Sequence, residues 1–171
     1  MKTALAAFSV VPVSPFGWSA DWAWGLPLIV LTVVLHVVVL GFASKRIVDI
    51  ARRTVQGRHP AAISVAVVGA TTLLATCLHG IEAGIWATAY RLLDALPDFK
   101  RSMLYSLNAI TSYGHENLNL NPHWQLMGAL EALNGWLLFG LTTAFLFAVI
   151  QSLWSSDMSD QHFPHRSVER S

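Results

Sequence analysis

Three long apolar runs, separated by polar segments, dominate the pattern of hydrophobic and polar positions along the chain. The first covers residues 26–44 and is interrupted by His36. The second covers residues 61–90 and the third covers residues 124–154. Since about 20 apolar residues cross a bilayer as a helix, the pattern predicts three transmembrane helices. The third run is longer than one crossing needs, and a tilt or a cytoplasmic extension would absorb the surplus.

A shorter helical pattern lies between the second and third runs. The apolar residues of segment 102–111 recur at helical spacing, namely at Met103, Leu104, Leu107 and Ile110. This segment is too short to cross a bilayer, and a polar stretch, TSYGHENLNLNPHW, leads from it to the third run. The sequence therefore predicts a re-entrant half-helix, which at membrane depth must be surrounded by protein or by a watery cavity.

Composition supports an integral membrane protein with the lipid bilayer as its surroundings. Of the 171 residues, 54% are hydrophobic and only 12% are charged, about half the charged share of a soluble domain. The formal net charge of +1 gives no reason to expect a nucleic-acid partner. Cys77 is the only cysteine, which excludes an intrachain disulfide and a thiolate metal cluster.

The basic residues predict how the chain is oriented. Segment 45–60 contains five of them: Lys45, Arg46, Arg52, Arg53 and Arg58. By the positive-inside rule this segment is a cytoplasmic loop. Residues 1–25 are then an external N-terminal segment, and residues 155–171 form a cytoplasmic tail. We expect the protein in the bacterial inner (plasma) membrane, with the N-terminus outside and the C-terminus in the cytoplasm.

The order of span, half-helix, polar return and span resembles the pore module of potassium channels. The stretch YSLNAITSYGHENL aligns without gaps with the pore helix and filter of that family. The stretch GWLLFGLTTAFLF is similar to the inner helix of small bacterial channels and of two-pore-domain-type channels. The resemblance covers residues 61–154, with 61–90 as outer helix, 102–111 as pore helix and 124–154 as inner helix. It implies a four-fold tetramer and places inner-helix hinges at Gly135 and Gly140.

The same resemblance identifies a selectivity filter at residues 111–117. Its members are Thr111, Ser112, Tyr113, Gly114, His115, Glu116 and Asn117. Ser112 stands at the position of the filter threonine and Gly114 at that of the first glycine. In the outer half, His115 replaces the family's tyrosine, Glu116 its second glycine and Asn117 its aspartate.

These replacements predict a change in selectivity. A potassium filter replaces the water shell of the ion with rings of backbone carbonyls, and the inward-pointing carbonyls require residues with positive φ, which glycine adopts freely. A side chain in that conformation costs about 1–2 kcal/mol, so Glu116 disfavours the usual outer half. Four Glu116 carboxylates around one axis would attract cations. We expect a cation channel with weak selectivity for K⁺ over Na⁺; the alternative is a non-conducting structural or accessory membrane protein.

Several ionisable residues inside the predicted spans have two interpretations. A carboxyl group facing lipid is unfavourable, so Glu131 should face a neighbouring helix or the cavity beneath the filter. The resemblance implies that Glu82 and Glu131 support the pore helix and filter from behind. His79 lies three residues before Glu82, on the same helical face, so the two could instead form a divalent-metal site with His115 or His123. His115 could also pack behind the filter or add pH sensitivity at the axis. His36 is expected to be a helix-packing residue.

No catalytic function is predicted. The sequence has no nucleophile–base constellation, no glycine-rich phosphate loop and no paired metal motif. We therefore expect no enzyme activity and no cofactor, with monovalent cations as permeant ligands.

Overall fold

The protein is described by a computed structural model over residues 17–54, 60–114 and 118–161. Within these ranges the chain is helical, without strands: α1 covers Gly17–Thr54, α2 covers Pro60–Leu92, α3 covers Phe99–Ile110 and α4 covers Gln125–Gln161. A single 3-10 turn, Pro122–Trp124, precedes α4. The predicted all-helical fold is confirmed, and α1, α2 and α4 are long and apolar enough to cross a membrane.

The helices extend beyond the predicted limits. α1 begins at Gly17, so that Pro27 lies inside it, and continues through Thr54 into the segment predicted as a basic loop. No glycine or proline occurs between Gly41 and Gly57, so nothing local ends the helix earlier. α4 likewise runs to Gln161. The remaining parts of the predicted N-terminal segment, basic loop and C-terminal tail lie outside the described residues.

A tight turn reverses the chain between α2 and α3. Asp94 adopts a left-handed φ of 50°, and the amide of Ala95 donates to the carbonyl of Tyr90 at 2.9 Å, which closes the last turn of α2. Asp98 then caps α3, since its side chain accepts a hydrogen bond from the amide of Arg101 at 2.9 Å. α3 therefore runs back alongside α2.

α3 lies against both α2 and α4. Its apolar residue Ile110 packs with Ala83 of α2 and Leu138 of α4. Its carbonyl at Ile110 lies so close to Gly135 that a Cβ there would collide with it. Because Gly135 stands ten residues into α4, the end of α3 lies about 15 Å along the axis of α4 from its first residue.

The chain then returns to the level at which α3 began. The amide of Asn121 donates to the carbonyl of Ala95 at 3.1 Å. Leu120 is buried in the main core cluster, together with Ala95 and Leu96. Segment 111–121 therefore begins beside Gly135 and ends beside the α2–α3 turn.

α1 and α4 contact each other at both ends of the bundle. At one end Asp21 of α1 accepts a hydrogen bond from the amide of Met127 in the first turn of α4, at 3.0 Å. At the other end Val149 and Leu153 of α4 pack against Ile47 of α1 and Val67 of α2. α1 and α4 therefore run in the same direction, and α2 runs opposite to both.

Candidate functional site

The predicted filter begins where α3 ends. Ser112 has a left-handed φ of 54°. The amide of Ser112 donates to the carbonyl of Ala109 at 2.9 Å, and the amide of Tyr113 donates to the carbonyl of Asn108 at 2.9 Å. This pair of bonds is the Schellman closure of a helix, in which glycine usually occupies the left-handed position. Ser112 thus closes α3 in a backbone conformation that is unfavourable for its side chain.

The next described residues are exposed. Tyr113 is 84% exposed, and Gly114 has a φ of 97° with open space where a Cβ would stand. Left-handed backbone therefore recurs at alternate positions, Ser112 and Gly114. Thr111 turns its hydroxyl back to its own helix and donates to the carbonyl of Leu107 at 2.7 Å. His115, Glu116 and Asn117 lie outside the described residues, so the expectations placed on them stay predictions.

A pocket of about 690 Å³ lies beneath this loop, between α2, α3 and α4. Its lining is mostly apolar and includes Leu107, Thr111, Trp136 and Phe139. On the α2 side it is lined by Thr76 and His79. The ionisable His79 ring therefore borders a mostly apolar pocket inside the predicted membrane region.

A buried hydrogen-bonded group holds α3 from behind; we call it the Glu131 cluster, comprising Tyr90, Ser106 and Glu131. Tyr90 donates to Glu131 Oε2 at 2.7 Å, and Ser106 Oγ contacts both Glu131 Oε1 and, at 2.7 Å, the carbonyl of Ala83. The single Ser106 hydrogen serves one of these acceptors. All contacts are satisfied when Glu131 Oε1 carries a proton and donates to Ser106.

Tyr105 packs beside this cluster. Its hydroxyl occupies the space left by the missing side chain of Gly128. The Tyr105 ring lies edge-on to the ring of Tyr90, with the centroids 5.3 Å apart. The phenol therefore acts here as a packing group between α2, α3 and α4.

A second buried group joins the three long helices; we call it the polar ring, comprising His36, His79, Glu82 and Thr142. His36 Nδ1 lies 2.7 Å from Glu82 Oε1, and His79 Nδ1 lies 3.2 Å from Glu82 Oε2. On the far side of the rings, Thr142 Oγ1 lies 3.0 Å from His36 Nε2 and 3.1 Å from His79 Nε2. The two imidazole centroids are 5.2 Å apart.

The polar ring is buried on the side of His36 and Glu82 and is partly exposed at His79. His36 and Glu82 are fully buried, whereas His79 is 28% exposed towards the pocket. Glu82 Oε2 lacks a hydrogen-bond partner among the described residues, because the His79 contact has the distance but not the alignment. A buried carboxylate oxygen without a partner is unfavourable, so this atom is the chemically unsatisfied point of the ring.

Counting hydrogens gives the same result. Three hydrogen bonds close the polar ring, and each needs one hydrogen. Two neutral imidazoles and one hydroxyl supply these three, so with an ionised Glu82 no hydrogen remains for the fourth contact, between His79 Nδ1 and Glu82 Oε2 at 3.2 Å. An additional proton or a cation would complete it.

The structure places the other predicted site residues as follows. Glu82 contacts the rings of His36 and His79. Arg101 Nε lies 3.4 Å from Asp98 Oδ2. Gly135 receives the end of α3, and Gly140 has open space where a Cβ would stand.

Sequence reasoning did not place His36 or Thr142 in a site. Each occurs within a different apolar run, separated by 106 residues, and nothing local connects them. The available signal was that a polar side chain inside a long span needs a hydrogen-bond partner, either on its own helix, as for Thr143, or on another. Asn134 and Thr32 follow the same rule, with Nδ2 donating to Oγ1 at 2.9 Å.

Comparison with known proteins gives no match to a family model, to a curated protein or to a solved structure.

Proposed function

We propose that the protein is a homotetrameric cation channel of the pore-loop type, with weak preference for K⁺ over Na⁺. The observation that carries the proposal is the course of the chain between α2 and α4. A short helix descends beside both long helices, ends in a loop with left-handed backbone at Ser112 and Gly114, and returns to its starting level at Asn121.

Depth supports a re-entrant element. The end of α3 lies about 15 Å along α4, roughly half of the 30 Å hydrocarbon core. The return segment is polar, and non-helical backbone at that depth requires cover by protein or water. A water-filled axis between subunits provides this environment for residues 111–117.

Exposed apolar surface supports assembly. On α3, Leu104 and Leu107 are exposed, opposite the buried face formed by Ser102, Ser106 and Ala109. On the pocket side of α4, Trp136 and Phe139 are exposed as well. A half-helix inserted at membrane depth needs neighbours on its open face, and copies of the same chain around an axis supply them.

The loop chemistry fits cations. Ser112 and Gly114 have left-handed backbone, the conformation that a filter lined by inward-pointing carbonyls requires. In a tetramer Glu116 adds a carboxylate ring that attracts cations, while its side chain disfavours the outer carbonyl sites on which K⁺ selectivity depends. The Glu131 cluster fixes α3 behind the loop.

Orientation is part of the proposal. Asp21, Met127 and the α2–α3 turn share one end of the bundle, and Ile47 lies at the other end, next to Lys45 and Arg46. The positive-inside rule places the Lys45 end in the cytoplasm. Residues 111–117 then enter from the external side.

The test is cation flux through the purified, untagged protein in liposomes, with K⁺ and Na⁺ compared at equal gradients. Wild type, Glu116→Gly and the control Asn119→Gly are measured at the same protein density, after cross-linking has established the subunit number. We expect wild type to pass both ions and Glu116→Gly to shift the ratio towards K⁺. Asn119→Gly, in the same return segment, should behave like wild type.

Two results contradict the proposal. Tetramers that pass no ions as wild type but conduct as Glu116→Gly identify a closed, non-conducting relative of a channel. A monomer or dimer without flux in any variant removes the basis for an axial pore.

A further inference from the structure

We propose that His36, His79 and Glu82 form a binding site for a divalent transition metal of the Zn²⁺ class, with Thr142 as the outer partner of both imidazoles. One ligand atom from each of the three residues lies within 4.8 Å of the others. Two imidazole nitrogens and one carboxylate oxygen are a ligand set that Zn²⁺ takes with its fourth position open. The site is independent of conduction.

The distances from each imidazole to Glu82 suit a small metal ion, which would draw together three ligand atoms that lie within 4.8 Å of one another. Ligand atoms about 2.0–2.1 Å from a tetrahedral Zn²⁺ lie about 3.3 Å from one another. His79 Nδ1 and Glu82 Oε2 are 3.2 Å apart, and His36 Nδ1 and Glu82 Oε1 are 2.7 Å apart. The first pair already has the required separation. The second needs to open by a few tenths of an ångström, or Glu82 can bind through Oε2 alone.

The outer contacts specify the metal-bound form. With metal on both Nδ1 atoms, each imidazole carries its hydrogen on Nε2 and donates it away from the metal. Both Nε2 atoms face Thr142 Oγ1, at 3.0 Å and 3.1 Å. A hydroxyl oxygen has two lone pairs, so Thr142 accepts both bonds and fixes both tautomers at once. The metal ion then takes the place of the hydrogen that the metal-free polar ring lacks between His79 Nδ1 and Glu82 Oε2.

The ring also has an unsatisfied ligand and an entry path. Glu82 Oε2 is buried and lacks a hydrogen-bond partner among the described residues, and it lies 3.2 Å from His79 Nδ1. His79 borders the 690 Å³ pocket, so an ion and its fourth ligand, a water molecule, can reach the site from there. His79 and Glu82 stand at i and i+3 of α2, on one helical face, which fixes two ligands on a rigid element.

The competing occupant is a proton. One additional proton would complete the four contacts without a metal, leaving an imidazolium–carboxylate pair within the ring. The two occupants differ in their outer contacts, because the metal needs Thr142 as an acceptor from both rings. They also differ in the consequence of adding Zn²⁺ to the purified protein.

The experiment uses the full-length, untagged protein in detergent, stripped with a chelator. Zn²⁺ affinity is measured by competition with a chromophoric chelator, and Co²⁺ is added separately to record its visible absorption. We expect one Zn²⁺ per chain, absorption bands of four-coordinate Co²⁺, and a rise in the thermal midpoint with Zn²⁺. His79→Ala and Glu82→Gln should each lower affinity more than 100-fold, and Thr142→Val by 10–100-fold, the usual effect of losing an outer partner. His123→Ala, at an exposed histidine, is the control.

Three results overturn the proposal: no stoichiometric Zn²⁺ binding, affinity unchanged in both His79→Ala and Glu82→Gln, or loss in His123→Ala equal to that in the ring variants. If Glu82→Gln does not fold, His79→Ala decides, because its side chain is partly exposed and its truncation leaves the buried pair intact. Zn²⁺ binding without ion flux would leave this site standing and contradict only the proposed function.

Discussion

His36 of α1 and Glu82 of α2 meet inside the predicted membrane region, with Nδ1 and Oε1 2.7 Å apart and both side chains fully buried. They are separated by 46 positions in the chain. This contact, extended by Thr142 of α4, links the first helix to the pair of helices that carry α3. α1 is therefore an integral part of the bundle and shares its buried polar chemistry.

Replacing His36 tests that link. His36→Phe removes the partner of Glu82 Oε1 while keeping a ring of similar shape. We expect a loss of about 1–3 kcal/mol in the free energy of unfolding, because a buried carboxylate oxygen is left unpaired. Unfolding by denaturing detergent in micelles measures it. His123→Phe, at an exposed site, should change stability by less than about 0.5 kcal/mol. Equal effects of the two changes would show that the His36–Glu82 contact does not stabilise the bundle.

Gly135 and Gly140 provide a matched pair of substitution sites that tests the contact between α3 and α4. Gly135→Ala places a Cβ against the carbonyl of Ile110, whereas Gly140→Ala meets open space. We expect Gly135→Ala to lower stability by about 1–3 kcal/mol, as overpacking does. Gly140→Ala should be neutral or stabilising by up to about 1 kcal/mol, since alanine favours helix. Thermal unfolding in detergent decides. A Gly135→Ala protein as stable as wild type would contradict the close contact between α3 and α4.

Substitution of Glu131 tests whether its carboxyl group is protonated and donates a hydrogen bond to Ser106. Glu131→Gln keeps the shape and supplies an N–H donor towards Ser106, so it should cost less than about 1 kcal/mol. Glu131→Ala leaves Ser106 and Tyr90 without their partner and opens a cavity, so we expect about 2–5 kcal/mol. Both are measured as free energies of unfolding. A glutamine variant as unstable as the alanine variant would mean that Glu131 acts through its negative charge.

The two left-handed positions after α3 should respond in opposite directions. Ser112→Gly relieves the φ of 54°, and we expect a gain of up to about 1 kcal/mol in the stability of the last turn of α3. Gly114→Ala introduces a side chain at a φ of 97° and should cost about 1–2 kcal/mol, although the space around it is open. Hydrogen exchange of the Ile110 and Thr111 amides reports on both variants. Destabilisation by Ser112→Gly would refute the helix-closing role of Ser112.

The local features of the fold could be predicted from the sequence. The lengths and compositions of the apolar runs indicated the three long helices, and the spacing of Met103, Leu104, Leu107 and Ile110 indicated the short one. These signals are local, since periodicity and composition are determined within one segment. The helix ends were predicted less well, because tertiary ties such as that between Asp21 and Met127 stabilise the outer turns of α1.

The polar ring could not be predicted in the same way. His36 looked like an isolated packing residue because its partners lie on two other helices. Only the relative rotation and depth of α1, α2 and α4 determine which polar groups meet, and one sequence carries no direct signal of either. By contrast, the pair His79 and Glu82 was visible, since both lie on one turn of one helix.

The segment that follows α3 is fixed at both ends, by Ile110 against Gly135 and by the bond from Asn121 to Ala95. These two supports belong to the bundle and do not involve the exposed side chains of Tyr113 and Asn119. Substitutions at exposed positions such as Tyr113 and Asn119 can therefore accumulate without refolding the scaffold. The chemistry presented after α3 is thus carried by exposed side chains, such as that of Tyr113, on which the packing of the bundle does not depend.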